Sequence, residues 1–539
     1  MSDTASFMSR IREWSSAGEG TGESPARIRR MVAAGVQPPR IAILGAGAGG
    51  LCMALQLQDA GIDTFTIYEK SDGVGGTWRD NTYPGAACDV PSHLYSFSFA
   101  PKTDWSRKFA EQPEILDYFE SLVRDHGLEP HLRFGVEIAS ARWDEDGQEW
   151  ELTTSTGERI TAEVVVSGLG QLNRPHVPDL PGLDDFEGTW FHSARWDHEH
   201  DLRGERVAVV GIGASAIQFV PRIAKVTRQL TLFQRSVNYV APKPDRRFRS
   251  WERWLLDRVP PLQRAYRASI YWRFEARFQL MRKGSRLGAL MQDRFGKEIS
   301  KLASEHLPAE ALVPDYSPGC RRILIANDWY PTLLRPDVEV VTEEIERVTE
   351  HSVITTGGRE VPVDTIVFGT GFHSTEFLSP LRITGRAGRD LNEVWAQGAE
   401  AHLGVAVPGF PNLFLLYGPN TNLGHNSILF MIEQQVGFIR SLIAEQMAEG
   451  AGAIEVTDAA MAAYEAEMLD ATSRTVWAED CSSWYKNEAG RVTNNWPDYS
   501  IKYRRRLRRR HRGDYRFTPA RRGAEPERPL TTSGAAPPR

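Results

Sequence analysis

Apolar positions first cluster in the stretch RIAILGAGAGGLCMALQLQDAGIDTFTIYEK, beginning at Arg40. The spacing predicts a short buried strand, a glycine turn, a helix from about Gly49 to Ala60 and a second strand ending at Glu69. A unit of the same design recurs at 206–236 (RVAVVGIGASAIQFVPRIAKVTRQLTLFQRS), bracketed by strand signals at 163–170 and 364–372. Between 245 and about 308, Arg, Trp, Tyr, Phe and Leu recur at helical spacing, which predicts a helical insertion. Residues 410–427 read as a strand running into a polar loop, and 428–448 as an apolar-periodic helix. Residues 1–38 are polar and weakly periodic, a tail or a short surface helix. The basic stretch 501–539 ends in Pro, Gly and Ser and reads as a disordered tail. The order is nested: a first nucleotide-binding domain opens at 39–175, a second with its helical insertion occupies 176–370, and the first resumes at 371–500. Strands alternating with helices imply an α/β fold with two doubly wound Rossmann-like domains.

Composition narrows the class without changing this outline. The 539 residues, 41% apolar and 25% charged, suit a globular protein of two or three domains. The net charge of −6 conceals a basic stretch at 502–522, read as a solvated tail, with no nucleic-acid partner expected. Cys52, Cys88, Cys320 and Cys481 lie far apart with no C-x-x-C pair, which argues against a disulfide framework, a zinc site or a redox dithiol. The N-terminus lacks an apolar secretory segment, and no run is long and apolar enough to span a membrane, so a cytoplasmic location is expected.

The glycine turns carry the chemistry. Gly45, Gly47 and Gly50 form G-x-G-x-x-G between a strand and a helix, where glycine permits the tight turn and close approach of a pyrophosphate. The helix start supplies free N–H groups for phosphate. Glu69, 19 residues beyond Gly50, is placed to accept from ribose hydroxyls. In the second copy Gly211, Gly213 and Ala216 stand at the matching positions, with Ser215 beside them. That unit closes on Arg235 and Ser236, and an arginine there suits a 2′-phosphate that an acid would repel. FAD in the first domain and NADPH in the second follow, with oxygen as the electron acceptor in the absence of a dithiol.

A more specific resemblance rests on three further motifs. Phe186-x-Gly188-x-x-x-His192-x-x-x-Trp196-Asp197 lies between the fingerprints. Gly75-Gly76-x-Trp78 leads to Tyr83-Pro84-Gly85 and Asp89, and Asp364 precedes Gly369-Thr370-Gly371. Over about 40–500 the chain resembles the type I flavin-dependent Baeyer–Villiger monooxygenases. The resemblance implies a C4a-peroxyflavin that attacks a ketone carbonyl, giving an adduct that rearranges to an ester or lactone. Gly319-Cys320-Arg321-Arg322 resembles the family segment that places the catalytic arginine at Arg322, with Arg321 helping to bind the 2′-phosphate and Asp89 orienting Arg322. Gly76, Thr77 and Trp78 are expected to contact cofactor, and Trp484 resembles a loop tryptophan that closes over NADP. His192 is expected to couple domains structurally rather than react. A permanently charged arginine suits stabilisation of a peroxide anion because it cannot donate its proton away. The aromatic insertion leans towards a bulky hydrophobic ketone. An N- or S-oxygenating flavin monooxygenase and an NADPH-sensing binding protein with a basic nucleic-acid tail are the competing readings.

Overall fold

The computed structural model describes residues 24–304, 307–481, 483–509 and 511–521. Helix α1 (Ser24–Ala33) precedes β1 (Ile41–Leu44), α2 (Ala48–Asp59) and β2 (Phe65–Glu69), followed by α3 (Gln112–His126), β3 (Leu132–Phe134) and β4 (Val164–Ser167). The inserted domain holds β5 (Thr189–His192), β6 (Arg206–Val210), α4 (Ala216–Ile223), β7 (Gln229–Phe233), β8 (Val338–Val341) and β9 (Thr365–Phe368). Between β7 and β8 lie three helices, α5 (Ser250–Arg258), α6 (Pro260–Glu275) and α7 (Arg286–Ile299), where the helical insertion was expected. The first domain then resumes with β10 (Leu413–Leu415), α8 (Ile428–Glu449), β11 (Ala451–Val456), α9 (Asp458–Ser473), α10 (Ser500–Leu507) and β12 (Tyr515–Pro519).

Two five-stranded parallel sheets organise these elements, in the orders β10-β4-β1-β2-β3 and β8-β7-β6-β9-β5. Their inner strands are buried on both faces: helices pack on one face of each sheet, and an antiparallel sheet covers the other. In each sheet the strand order reverses beside the glycine turn, the place where doubly wound sheets bind ligands. A separate antiparallel sheet of Ile138–Asp144, Glu149–Thr154 and Arg159–Ala162, extended by Arg382–Thr384, packs beside the first sheet. Its alternating, half-exposed strands had given no distinct signal.

Helix α8 is the centre of the first domain. Leu429, Met431, Val436, Ile439 and Ile443 are fully buried, and the helix packs against α1, α2 and α10. A helix apolar on all sides is stable only when surrounded. Its buried Arg440 donates to Gln56 Oε1 at 2.6 Å and Ser24 Oγ at 3.1 Å, which ties α1 down. The N-terminal segment therefore ends in a packed helix, and its residues 1–23 lie outside the described ones.

The C-terminal expectation is corrected. The stretch from 501, read as a disordered tail, continues α10 through Leu507 and then forms β12, antiparallel to β11. Its arginines are answered locally: Arg506 pairs with Glu467 and lies over the Tyr464 ring, and Arg512 reaches Glu449 at 2.8 Å. Charge density had masked the buried positions Tyr503, Leu507 and Tyr515. Residues 522–539 lie outside the described ones. Tyr515 is 3% exposed, with its hydroxyl 3.2 Å from His402 Nδ1. Tyr515→Ala is expected to lower unfolding stability by about 3 kcal/mol, the cost of an aromatic truncation in a core; a urea midpoint equal to that of the parent would refute the packing role. Among the described residues no helix is long and apolar enough to cross a membrane.

Candidate active site

Both nucleotide turns have the geometry their sequences require. Gly45 and Gly211 take φ of +93° and +98°, and a Cβ on either would lie 3.1 or 2.7 Å from the carbonyl oxygen of Gly168 or Gly369 across the switch point. A Cβ at Gly50 would stand 1.9 Å from Gly45 O, so only glycine fits. At the equivalent place in the second domain Ala216 is accommodated because it faces Gly369, whose own Cβ would sit 3.2 Å from Ala216 Cβ. Neither α2, starting after Gly47, nor α4, starting after Ser215, has a side-chain cap. Their first N–H groups are thus left for phosphate oxygens.

The groups beyond the turns fit the two nucleotides. Glu69 is 8% exposed and uses one lone pair of each oxygen, accepting from Ala46 N at 2.8 Å and Ser71 N at 2.9 Å. A carboxylate oxygen retains further acceptor capacity for a ribose hydroxyl. Gly76 begins a short helix carrying Thr77 and Trp78, whose indole donates to Tyr95 Oη at 2.9 Å. In the second domain Arg235 is 78% exposed, its nearest carboxylate being Glu344 at 4.0 Å. Ser236 accepts from Arg321, which also lies 4.8 Å from the Tyr316 ring centroid. Arg235, Ser236 and Arg321 thus form a cationic, hydroxyl-bearing patch at the end of β7.

Arg322 and Asp89 come together from positions 233 residues apart. Arg322 Nε and Nη2 donate to Asp89 Oδ2 at 2.7 and 2.6 Å, and each side chain is about a quarter exposed. Burial opposes the guanidinium charge, but Asp89 more than reverses this and holds the pKa above its ordinary value. Tyr417 and Tyr485 lie within electrostatic reach. Burial pushes both phenols up, Tyr485 to about 12, so they stay neutral beside the cation.

The loop that carries Asp89 is docked on the second domain by a residue the sequence reading missed. Gln218, in the first turn of α4, accepts from Tyr83 Oη at 3.1 Å and Ala87 N at 3.2 Å and donates to Ala87 O at 3.0 Å. Its polar side chain in an otherwise apolar helix start was the available signal. Tyr417 and Tyr485 were missed as well, since neither stands in a glycine motif. The polar loop 421–426 is tied to neighbouring segments: Asn422 Nδ2 donates to Asn495 Oδ1 at 2.6 Å and Asn426 Nδ2 to Glu275 Oε2 at 2.8 Å. Glu275 also accepts from Ser500 Oγ at 2.7 Å and Ile501 N at 3.0 Å, joining α6 to α10.

The string between the fingerprints is structural in its contacts. A Cβ on Gly188 would lie 2.3 Å from Asp364 O, Phe186 is buried, and Trp196 packs on Phe191 and Phe219. Asp197 Oδ1 accepts from Glu199 N at 3.0 Å. His192 ends β5, accepts from Ala194 N through Nδ1 at 3.1 Å, and meets Phe372 edge-on. Burial lowers His192, His93 and His402 to about 4. In the unfolded chain they titrate near 6.5, so between about 6.5 and 4 the unfolded state binds protons that the folded state refuses. Stability is accordingly expected to be full above pH 6.5 and to fall as pH drops through this window. Urea unfolding across pH 4.5–7.5 measures this, and a flat profile would contradict it.

The cysteine expectation is corrected at this site. Cys320 and Cys481 form a disulfide, with Cα atoms 6.6 Å apart. Cysteines distant in sequence and lacking a spacing motif left no trace of it. Cys52 and Cys88 are free and buried. Trp484, in the same loop as Cys481, packs on Tyr485 with centroids 4.5 Å apart, and its carbonyl accepts from Ser374 Oγ and Asn494 Nδ2, each at 3.0 Å.

Comparison with known proteins is consistent with this geometry. Residues 38–381 match the family described as FMO-like, flavin-binding monooxygenase-like. The chain is 41% identical to a Baeyer–Villiger monooxygenase of Streptomyces coelicolor, over 90% of this chain and 94% of the relative. It is similar to a solved oxidised steroid monooxygenase bound to NADP, with TM-score 0.78 and 30% identity, covering 89% of this chain and all of the other. A solved complex of OTEMO with FAD and NADP gives TM-score 0.81 at 26% identity, with the same coverage.

Proposed function

The chain belongs to the flavin-binding monooxygenase-like family and, within it, to the Baeyer–Villiger monooxygenases, and from that premise we propose how its own residues serve the reaction. The protein is an FAD- and NADPH-dependent monooxygenase that inserts oxygen beside a ketone carbonyl to give an ester or lactone. When bound, FAD would take electrons from NADPH and activate dioxygen, one atom of which is inserted and the other released as water.

The uncapped start of α2 holds the FAD pyrophosphate, and the remaining lone pairs of Glu69 take ribose hydroxyls. The start of α4 holds the NADPH pyrophosphate, while Arg235, Ser236 and Arg321 bind its 2′-phosphate. Arg322 would hold negative charge as it develops on the reacting oxygen and on the carbonyl. Asp89 fixes the guanidinium plane and balances its part-buried charge. Tyr417 and Tyr485, neutral within electrostatic reach of the arginine, add no competing negative charge to its field. The observation that carries this reading is the two-point contact of Arg322 with Asp89, held from opposite sides of the domain boundary.

The substrate is a bulky hydrophobic ketone. Phe278 and Met281, from the turn after α6, pack with Cys320 and Tyr485 beside the arginines, giving the site an apolar wall. A panel of cyclic, long-chain, aryl and steroidal ketones, assayed by NADPH consumption with esters identified by mass spectrometry, tests this. Ester from bulky ketones supports the reading. Peroxide alone from every ketone, together with a hydroxylamine from an amine, would overturn it.

A further inference from the structure

The Cys320–Cys481 bond joins two segments that the proposed mechanism uses separately. Cys320 immediately precedes Arg321 and Arg322, and Cys481 lies three residues before Trp484. Both sulfurs sit in one buried cluster with Phe278, Met281, Val476 and Trp477. Beside the bond, the Trp477 indole donates to Gly319 O at 2.9 Å. Behind the loop is a cavity of about 470 Å³, lined by Trp477, Ala478, Lys486 and Val492 among others. The loop is therefore tied to the arginine segment on one face and borders a cavity on the other.

We propose that Cys320 and Cys481 form a reversible redox centre that governs how firmly the Trp484 loop closes on NADP. In the disulfide state the loop is covalently tied to the arginine segment. Reduction adds two electrons and two protons, breaks the S–S bond and yields two thiols, leaving the loop held by non-covalent contacts alone, among them the indole bond and the bond from Ser374 Oγ to Trp484 O. The oxidant for the return step is hydrogen peroxide. One thiol attacks peroxide, the O–O bond breaks, and a sulfenic acid and one water form. The second thiol displaces hydroxide from that sulfur, forming the S–S bond and a second water. A small dithiol is the matching reductant. Placing the pair beside the dioxygen-reducing site puts it where peroxide is released whenever oxygen reduction is not coupled to substrate.

The proposal rests on the reading of Trp484 as the side chain that closes over NADP, and the two can fail separately. Full-length holoenzyme is treated with dithiothreitol or hydrogen peroxide, alkylated and mapped by mass spectrometry, while NADP⁺ affinity and protease cleavage within 476–493 are measured on the same samples. The bond is expected to open and re-form without unfolding. The reduced form should bind NADP⁺ about tenfold more weakly and be cut faster in the loop. The double variant Cys320→Ser/Cys481→Ser should show the reduced values under both treatments. Free thiols after peroxide, a bond that resists dithiothreitol in the folded protein, or equal cleavage in the two states would each overturn the redox centre. If the bond cycles and cleavage changes but Trp484→Ala binds NADP⁺ like the parent, the role of Trp484 falls and the coupling to NADP falls with it.

Discussion

Arg322→Ala is expected to leave NADPH-driven flavin reduction near normal and to lower ester formation at least about 100-fold, the scale of losing one preorganised charge at a reacting oxygen. The separation of the two effects follows from placement. Arg322 engages Asp89 and lies within electrostatic reach of the tyrosines, whereas the groups proposed to hold NADPH are Arg235, Ser236 and Arg321 at the end of β7. Stopped-flow bleaching of the flavin reports the first half-reaction, and product analysis the second. Arg322→Lys should recover only part of the loss, because an ammonium lacks the fork that meets Asp89 Oδ2 through Nε and Nη2 and can surrender its proton. Asp89→Ala should fall between the two, since the guanidinium keeps its charge but loses its fixed plane. Ester formation by Arg322→Ala within a few-fold of the parent would remove Arg322 from the reaction.

The second large effect concerns the coenzyme. Arg235→Ala is expected to raise the KM for NADPH about 10- to 100-fold, the range of a charge-assisted phosphate contact, and to leave the KM for NADH nearly unchanged. The side chain is 78% exposed and only 4.0 Å from Glu344 at its closest, so its charge is not committed to a structural partner. Its removal should therefore cost little stability. Arg321→Ala should act in the same direction, with the added loss of the Ser236 contact and the Tyr316 stack. A variant of Arg235 that weakened NADPH and NADH equally would mean that it acts on the fold of the site rather than on the 2′-phosphate.

The architecture was legible because its signals are local. Glycine at Gly45 and Gly50 is dictated by contacts a few ångströms away within one strand–turn–helix unit, and such units announce themselves in thirty residues. The nested order followed from seeing two of them with a strand signal on each side of the second. The Arg322–Asp89 pair was reached through resemblance, since nothing in either segment alone states that they meet. Of the features that escaped, three show the physical reasons most plainly. The Cys320–Cys481 bond depends on a closure 161 residues wide, which no spacing rule encodes. Gln218 acts across the domain boundary. The folded end of the chain hid behind arginines whose aliphatic stems and ion pairs let a basic segment pack, as Arg506 does on Tyr464.

The nested chain order also fixes a sequence of events during synthesis. Every strand of the second sheet lies within Thr189–Phe368, so that domain can close while the ribosome is still working. The first sheet cannot: β4 pairs with β1 on one side, but its other neighbour, β10, is not made until Leu413–Leu415. Throughout that interval Val164–Ser167 presents an open apolar edge, the kind of surface on which nascent chains aggregate. The domain that begins first is the one completed last, and holding it for its missing strand is the step at which folding in the cell is most exposed.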